Sequence, residues 1–165
     1  MVYIKYAFPA LVASFVLSST CVMAQTPTAT FNVQITITAA CQINSATNMD
    51  FGSNGVLSTN VDATSTITVQ CTNLTPYNIG LSAGSGTGAT VANRLMTGPA
   101  SATVGYSFYT TTARTAVWGN TVGTNTVAGT GNGAAQAYTV YGRVPVQTTP
   151  AAGVYTDTVT ATISY

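Results

Sequence analysis

Residues 31–43 read FNVQITITAACQI, and their apolar positions fall on every odd number: Phe31, Val33, Ile35, Ile37, Ala39, Cys41 and Ile43. The even positions through Gln42 are polar, except Ala40. A period of two marks a strand with one buried face. At ~3.3 Å per residue, a single straight strand of this length would span roughly 40 Å. Strands in globular sandwiches usually have about 5–6 residues. The run therefore divides into two strands with different jobs: residues 30–37 leave their own domain, and residues 39–44 stay in it as a first strand, A.

The same alternation recurs downstream. Residues 62–72 (DATSTITVQCT) place Ile67, Val69 and Cys71 on one face of a strand B. With A and B antiparallel and Cys41 opposite Cys71, Ile43 falls opposite Val69, so apolar residues meet on one face. Met49-Asp50-Phe51-Gly52 is a short apolar touch-down between them. Thr75-Pro76 marks a turn before strand C at 77–83. Arg94-Leu95-Met96 reads as a brief strand, and residues 104–110 as strand D, with residues 115–118 its short partner. Residues 120–135 are Gly, Thr and Asn and read as loop. Strand E covers 137–146. After a turn at Pro150 to Gly153, strand F covers 155–165, with Tyr155, Val159, Ala161, Ile163 and Tyr165 in phase.

Short strands, regular turn signals and no helical pattern after residue 24 indicate an all-β, immunoglobulin-like sandwich. Such a sandwich closes with a seventh strand, G, beside F, but here the alternation runs to Tyr165 with no turn and no G. The expectation is an incomplete sandwich lacking its last strand, with an acceptor groove beside F lined by Tyr155, Val159, Ala161, Ile163 and Tyr165. An unpaired edge of that kind needs a partner. On pattern alone, Phe31, Val33, Ile35 and Ile37 fit either an ordinary first strand of the same sandwich or a donor strand for a neighbour. The absent G and the overlong alternation favour the donor, and head-to-tail repetition of that exchange gives an open filament. Burying four such side chains is worth roughly 1.5–3 kcal/mol each before ordering costs.

Composition places this sandwich outside the cytoplasm. Of the 165 residues, the first 24 read as a secretory signal: Lys5, an apolar core at 7–17 too short to span a bilayer, and Val22-Met23-Ala24 as the cleavage site, with the cut between Ala24 and Gln25. Residues 25–38 are then the donor segment and 39–165 the domain. Cleavage leaves Arg94, Arg114 and Arg143 against Asp50, Asp62 and Asp157, a net charge of zero with no Lys, Glu or His. That offers no field for nucleic acid and favours self-association. Cys41 and Cys71 remain as a pair, and export makes a disulfide their default; it closes a loop of about 31 residues, worth roughly 3–4 kcal/mol.

The chemistry-bearing residues are sparse. Three separated Asp give no acid–base machinery, and no base activates the many Ser and Thr, so no catalytic residues and no enzyme are expected. Two Cys without His give no metal site, and no cofactor is expected. The glycine loops at 84–88 and 129–133 have no Lys and no following helix to hold phosphate. Trp118 and Tyr106, Tyr109, Tyr138 and Tyr141 fit core positions better than a sugar-binding surface. Arg143 and Asp157 fit a buried ion pair, a solvated pair or no pair. Two other classes share the export signal and alternation: a small outer-membrane β-barrel and a monomeric secreted β-sandwich binding protein. The disulfide and the lack of roughly ten-residue lipid-facing strands weigh against the barrel.

Met49-Asp50-Phe51-Gly52, the STITVQCT run at 65–72, Arg94-Leu95-Met96, Tyr106-Ser107-Phe108-Tyr109, Trp118-Gly119, Tyr141-Gly142-Arg143 and Gly153-Val154-Tyr155-Thr156-Asp157-Thr158 stand in one order over residues 41–165. As an ordered set they resemble the spore coat protein U domain family, and within it the major shaft subunits of Csu-type archaic chaperone–usher pili. The resemblance implies a periplasmic pilus chaperone, an outer-membrane usher, self-assembly by donor-strand exchange alongside minor and tip pilus subunits, and a surface pilus (fimbrium) used in attachment and biofilm formation.

Overall fold

In the computed structural model, residue 21 and residues 23–165 are described. The proposed signal core lies outside them, while Ala24 and Gln25 are exposed in non-repetitive chain. The chain divides into two units, Met1–Ile35 and Thr36–Tyr165. The described part of the first contains no strand.

The second unit is built from eight strands: β1 (Cys41–Ala46), β2 (Val61–Cys71), β3 (Pro76–Leu81), β4 (Arg94–Thr97), β5 (Thr103–Tyr109), β6 (Val127–Thr130), β7 (Ala135–Val144) and β8 (Ala161–Ser164). They form a five-stranded sheet in the order β1-β2-β7-β5-β4 and a three-stranded sheet in the order β6-β3-β8. Every ladder is antiparallel. Two open-edged sheets are the opposite of a closed barrel, so the outer-membrane barrel is overturned. The fold is an incomplete immunoglobulin-like sandwich: β8 pairs with β3 alone, and its other edge has no ladder partner among the described residues.

The expected register of A and B is the observed one, with Cys41 opposite Cys71 and Ile43 opposite Val69. Cys41 and Cys71 are joined by a disulfide. Besides shifts of one or two residues at the ends of strands B, C, D and E, three features differ from expectation. β1 begins two residues late because Ala40 N–H donates to the Thr72 hydroxyl, although Ala40 O still accepts Thr72 N–H. It then runs through an irregularity between Ile43 and Ser45 to reach Ala46 opposite Ile67. Strand F has a regular ladder only from Ala161. Its first half meets the other sheet through the Thr97–Thr156 bridge, and Ser82 N–H then draws Thr160 O toward β3 at 2.9 Å. The expected loop at 120–135 contains a strand, β6, on the edge of β3. Its Gly129 hid the alternation, and no larger residue fits there, because a Cβ would collide with the Tyr77 ring and the Tyr138 hydroxyl.

Between the sheets lie Ile67, Val69, Tyr77, Ile79, Leu81, Val104, Tyr106, Phe108, Trp118, Val140 and Val144, all buried. Trp118 is fully buried and donates its indole N–H to Ile79 O at 2.8 Å. Arg94 is equally buried. Its guanidinium lies 4.8 Å over the Phe108 ring and donates to the carbonyls of Ser82, Val91, Leu81 and Trp118 at 2.8–3.0 Å. Burial lowers the Arg94 pKa to about 10 against the opposing pull of Tyr106 and Asp157, so it stays charged at neutral pH. A buried cation costs several kcal/mol unless its donors are satisfied; here carbonyls from three loops and strands satisfy them, tying β3, β4 and the Trp118 segment together.

Candidate functional site

A cleft of about 580 Å³ opens where the two sheets fail to meet. One wall is the segment leaving β1, from Ala46 through Met49 to Phe51; the other is the segment entering β8, from Val154 through Val159 to Ala161. Ile67, Leu81, Tyr106, Phe108 and Val140 form its floor. The walls exist because strand F alternates: Tyr155, Asp157, Val159, Ala161 and Ile163 are half-buried while their even-numbered neighbours are exposed. Tyr155, Val159, Ala161 and Ile163 pack on the core. Tyr155, Val159 and Ala161 line the cleft. Ile163 sits in the β3 ladder opposite Ile79, and Tyr165 is exposed.

The proposed donor residues have the same spacing and the opposite environment. Phe31, Val33 and Ile35 are 82–85% exposed, and Ile37 is 69% exposed. Four large apolar side chains presented in a row to water are costly at roughly 1.5–3 kcal/mol apiece, and contiguous exposed apolar surface of this kind marks an interaction segment.

The cleft's electrostatics centre on Asp157. Its carboxylate accepts hydrogen bonds at 2.7 Å from the Tyr106 hydroxyl, Ser85 N–H and hydroxyl, and Thr158 N–H. Burial raises its pKa, but these bonds outweigh burial and hold it below the ordinary carboxylate value. Burial and the same bond push the Tyr106 hydroxyl far up. Ser85 reaches Asp157 because Gly84, at φ +88°, turns the loop with no Cβ to strike the carboxylate. Asp157 thus pins the glycine loop to strand F, and it does not pair with Arg143. Arg143 instead holds Asp62 in a two-pronged contact at 2.7 and 2.9 Å across β2 and β7, with Arg114 3.3 Å away. The bond from Arg143 and the two arginines' charge lower the Asp62 pKa against partial burial.

No three potential metal ligands gather among the described residues. Trp118 and Tyr106 are buried and Tyr138 packs against the core they belong to, as expected, whereas Tyr109 and Tyr141 face each other half-buried outside it, with Arg114 over the Tyr141 ring. The cleft's first wall and Asp157's anchoring were missed from sequence. Met49 and Phe51 were visible as an apolar touch-down, but their position opposite strand F follows only from the path of the chain after β1. Pinning of the loop by Asp157 needs three segments distant in sequence, which alternation cannot reveal.

The Spore Coat Protein U domain matches residues 27–162. Protein U of Myxococcus xanthus is 34% identical over 156 residues, covering 86% of this chain and 87% of that protein. A crystal structure of the CsuC–CsuE chaperone–tip adhesion subunit pre-assembly complex, from archaic chaperone–usher Csu pili of Acinetobacter baumannii, shares the fold with a TM-score of 0.56. The identity there is 23%, over 79% of this chain and 40% of that chain, so this chain spans less than half of the solved one. By its sequence match over most of its length, and by a sandwich open beside its last strand, the chain belongs to the Spore Coat Protein U domain family.

Proposed function

We propose that this chain is a structural pilus subunit that polymerises by donor-strand exchange into a surface filament serving attachment and biofilm formation. The carrying observation is that one chain combines an exposed alternating apolar segment at 31–37 with an apolar cleft beside an unpaired strand edge. Strand addition answers both needs at once: main-chain bonds go to the β8 edge and alternate side chains enter the cleft. Each subunit then offers one donor and one acceptor, which is a head-to-tail contact and grows without closing.

This reading assigns residues 25–38 as the donor segment and 39–165 as the pilin domain. It requires a periplasmic chaperone to cover the cleft before assembly, an outer-membrane usher for passage to the surface, and minor and tip subunits at filament ends. Catalysis has no part in it. Electron microscopy of cells with and without this protein tests it: filaments that shear off the surface and vanish with the protein are expected. A protein that leaves the cell as a soluble monomer contradicts it.

A further inference from the structure

A donor strand competes with itself. A segment tethered to its own cleft acts at an effective concentration of roughly millimolar if the tether spans the distance, and near zero if it cannot. A strand able to fold back would therefore fill its own subunit and end assembly. We propose that Thr72, backed by the Cys41–Cys71 disulfide, is the positioning residue that denies the donor its own cleft and so directs it to a second copy. The proposal rests on the donor-strand reading above.

The geometry lies at the root of β1. The cleft wall starts at Ala46, the far end of β1, whereas the donor segment joins β1 at Cys41. To reach its own cleft the chain must reverse direction within Thr38, Ala39 and Ala40. Tight reversals want Asn or Gly, which take positive φ, and a free backbone; Thr-Ala-Ala supplies no such residue. Its backbone is also occupied. Thr72 N–H donates to Ala40 O at 2.9 Å, and Ala40 N–H donates to Thr72 Oγ1 at 3.1 Å. The Thr72 hydroxyl is 3.2 Å from both Thr38 O and Ala40 O, with one proton to give to either. The adjoining residues, Cys41 and Cys71, are covalently joined, so the two strand ends cannot fray apart. A short, held hinge disfavours closure within one molecule and favours exchange between molecules.

The test is a set of variants expressed with the chaperone, with native sizing of the periplasmic product. A synthetic peptide of residues 30–38 probes for an open cleft. Thr72→Val keeps shape and backbone but loses the hydroxyl. It should shift material from polymer to a chaperone-free monomer that no longer takes up the peptide, while Thr72→Ser should restore the polymer. Insertion of Asn-Gly between Ala39 and Ala40 leaves Thr72 and the disulfide in place and should produce the same self-filled monomer, which keeps the test decisive if Thr72→Val fails to accumulate. Polymer at the unaltered level from Thr72→Val, or from the insertion where Thr72→Val fails to accumulate, overturns the proposal. Ile35→Asp run in parallel separates the two readings: if it still polymerises, the donor reading itself has failed, whereas loss of polymer from Ile35→Asp with normal polymer from Thr72→Val removes only the role of Thr72.

Discussion

Residues 31–37 and the last eleven residues of the chain carry the same period-two pattern, yet they live in opposite environments. The odd-numbered residues from Tyr155 to Ile163 are half-buried against a core, while Phe31, Val33 and Ile35 are among the most exposed large apolar residues described. Alternation therefore declares that a face will be buried without saying by which molecule. The difference arises at the neighbours: Ile163 has Ile79 across a ladder, whereas residues 31–37 belong to no ladder. Under the donor-strand proposal, the two regions are the halves of one joint.

That contrast predicts that substitutions in the sandwich unfold the subunit, whereas substitutions in the arm spare it. Arg94→Met should have the largest effect on the sandwich. It leaves the carbonyls of Leu81, Ser82, Val91 and Trp118 without their donors, at a cost of about 3–5 kcal/mol, read as loss of accumulated subunit. Removing the disulfide with Cys41→Ser and Cys71→Ser should cost about 3–4 kcal/mol, seen as a lower melting temperature of sheared filaments.

Acid gives a smaller and graded effect. Asp157 has its folded pKa depressed below 3.8 by the Tyr106, Ser85 and Thr158 bonds. Its stabilising contribution is therefore complete above the unfolded value of 3.8 and is lost as pH falls through the lower folded value. Filament melting should be flat from neutral to about pH 5 and fall below about pH 4. Asp157→Asn should shrink that acid loss without abolishing it, because Asp62 is shifted the same way. Arg143→Gln should have the smallest effect, with unchanged accumulation, since its pair with Asp62 is solvent-exposed and screened. A large loss from Arg143→Gln would show that the surface of the five-stranded sheet, and not the cleft, governs assembly.

Much of this fold was legible because burial writes a period of two into strands. The Ile43–Val69 register followed from setting Cys41 opposite Cys71, with alternation as its check, and the strand edge left open beside F followed from the absent seventh strand. Legibility ended where glycine or a change of sheet removes the pattern. β6 was invisible because Gly129 supplies no side chain where Tyr77 and Tyr138 need room. The first half of strand F looked like the second, although Thr156 bridges to β4 and Ile163 pairs with β3. Arg94 was read as part of a brief strand; that its guanidinium is a buried hub depends on carbonyls as far away as Trp118. Asp157 and Arg143 could not be paired from sequence because each answers to another partner.

The central claim is that residues 31–37 complete a neighbour and strand F receives the neighbour's strand. Its most direct test compares Ile35→Asp with Ile163→Asp by chaperone co-purification and a count of surface filaments. A charge at position 35 lies outside its own sandwich and costs several kcal/mol only when inserted into the next subunit. A charge at position 163 strikes the subunit's own core beside Ile79. Ile35→Asp should keep the chaperone complex and lose the filament, while Ile163→Asp should lose both. Normal filaments on Ile35→Asp cells would contradict the account, because the exposed strand would then complete nothing.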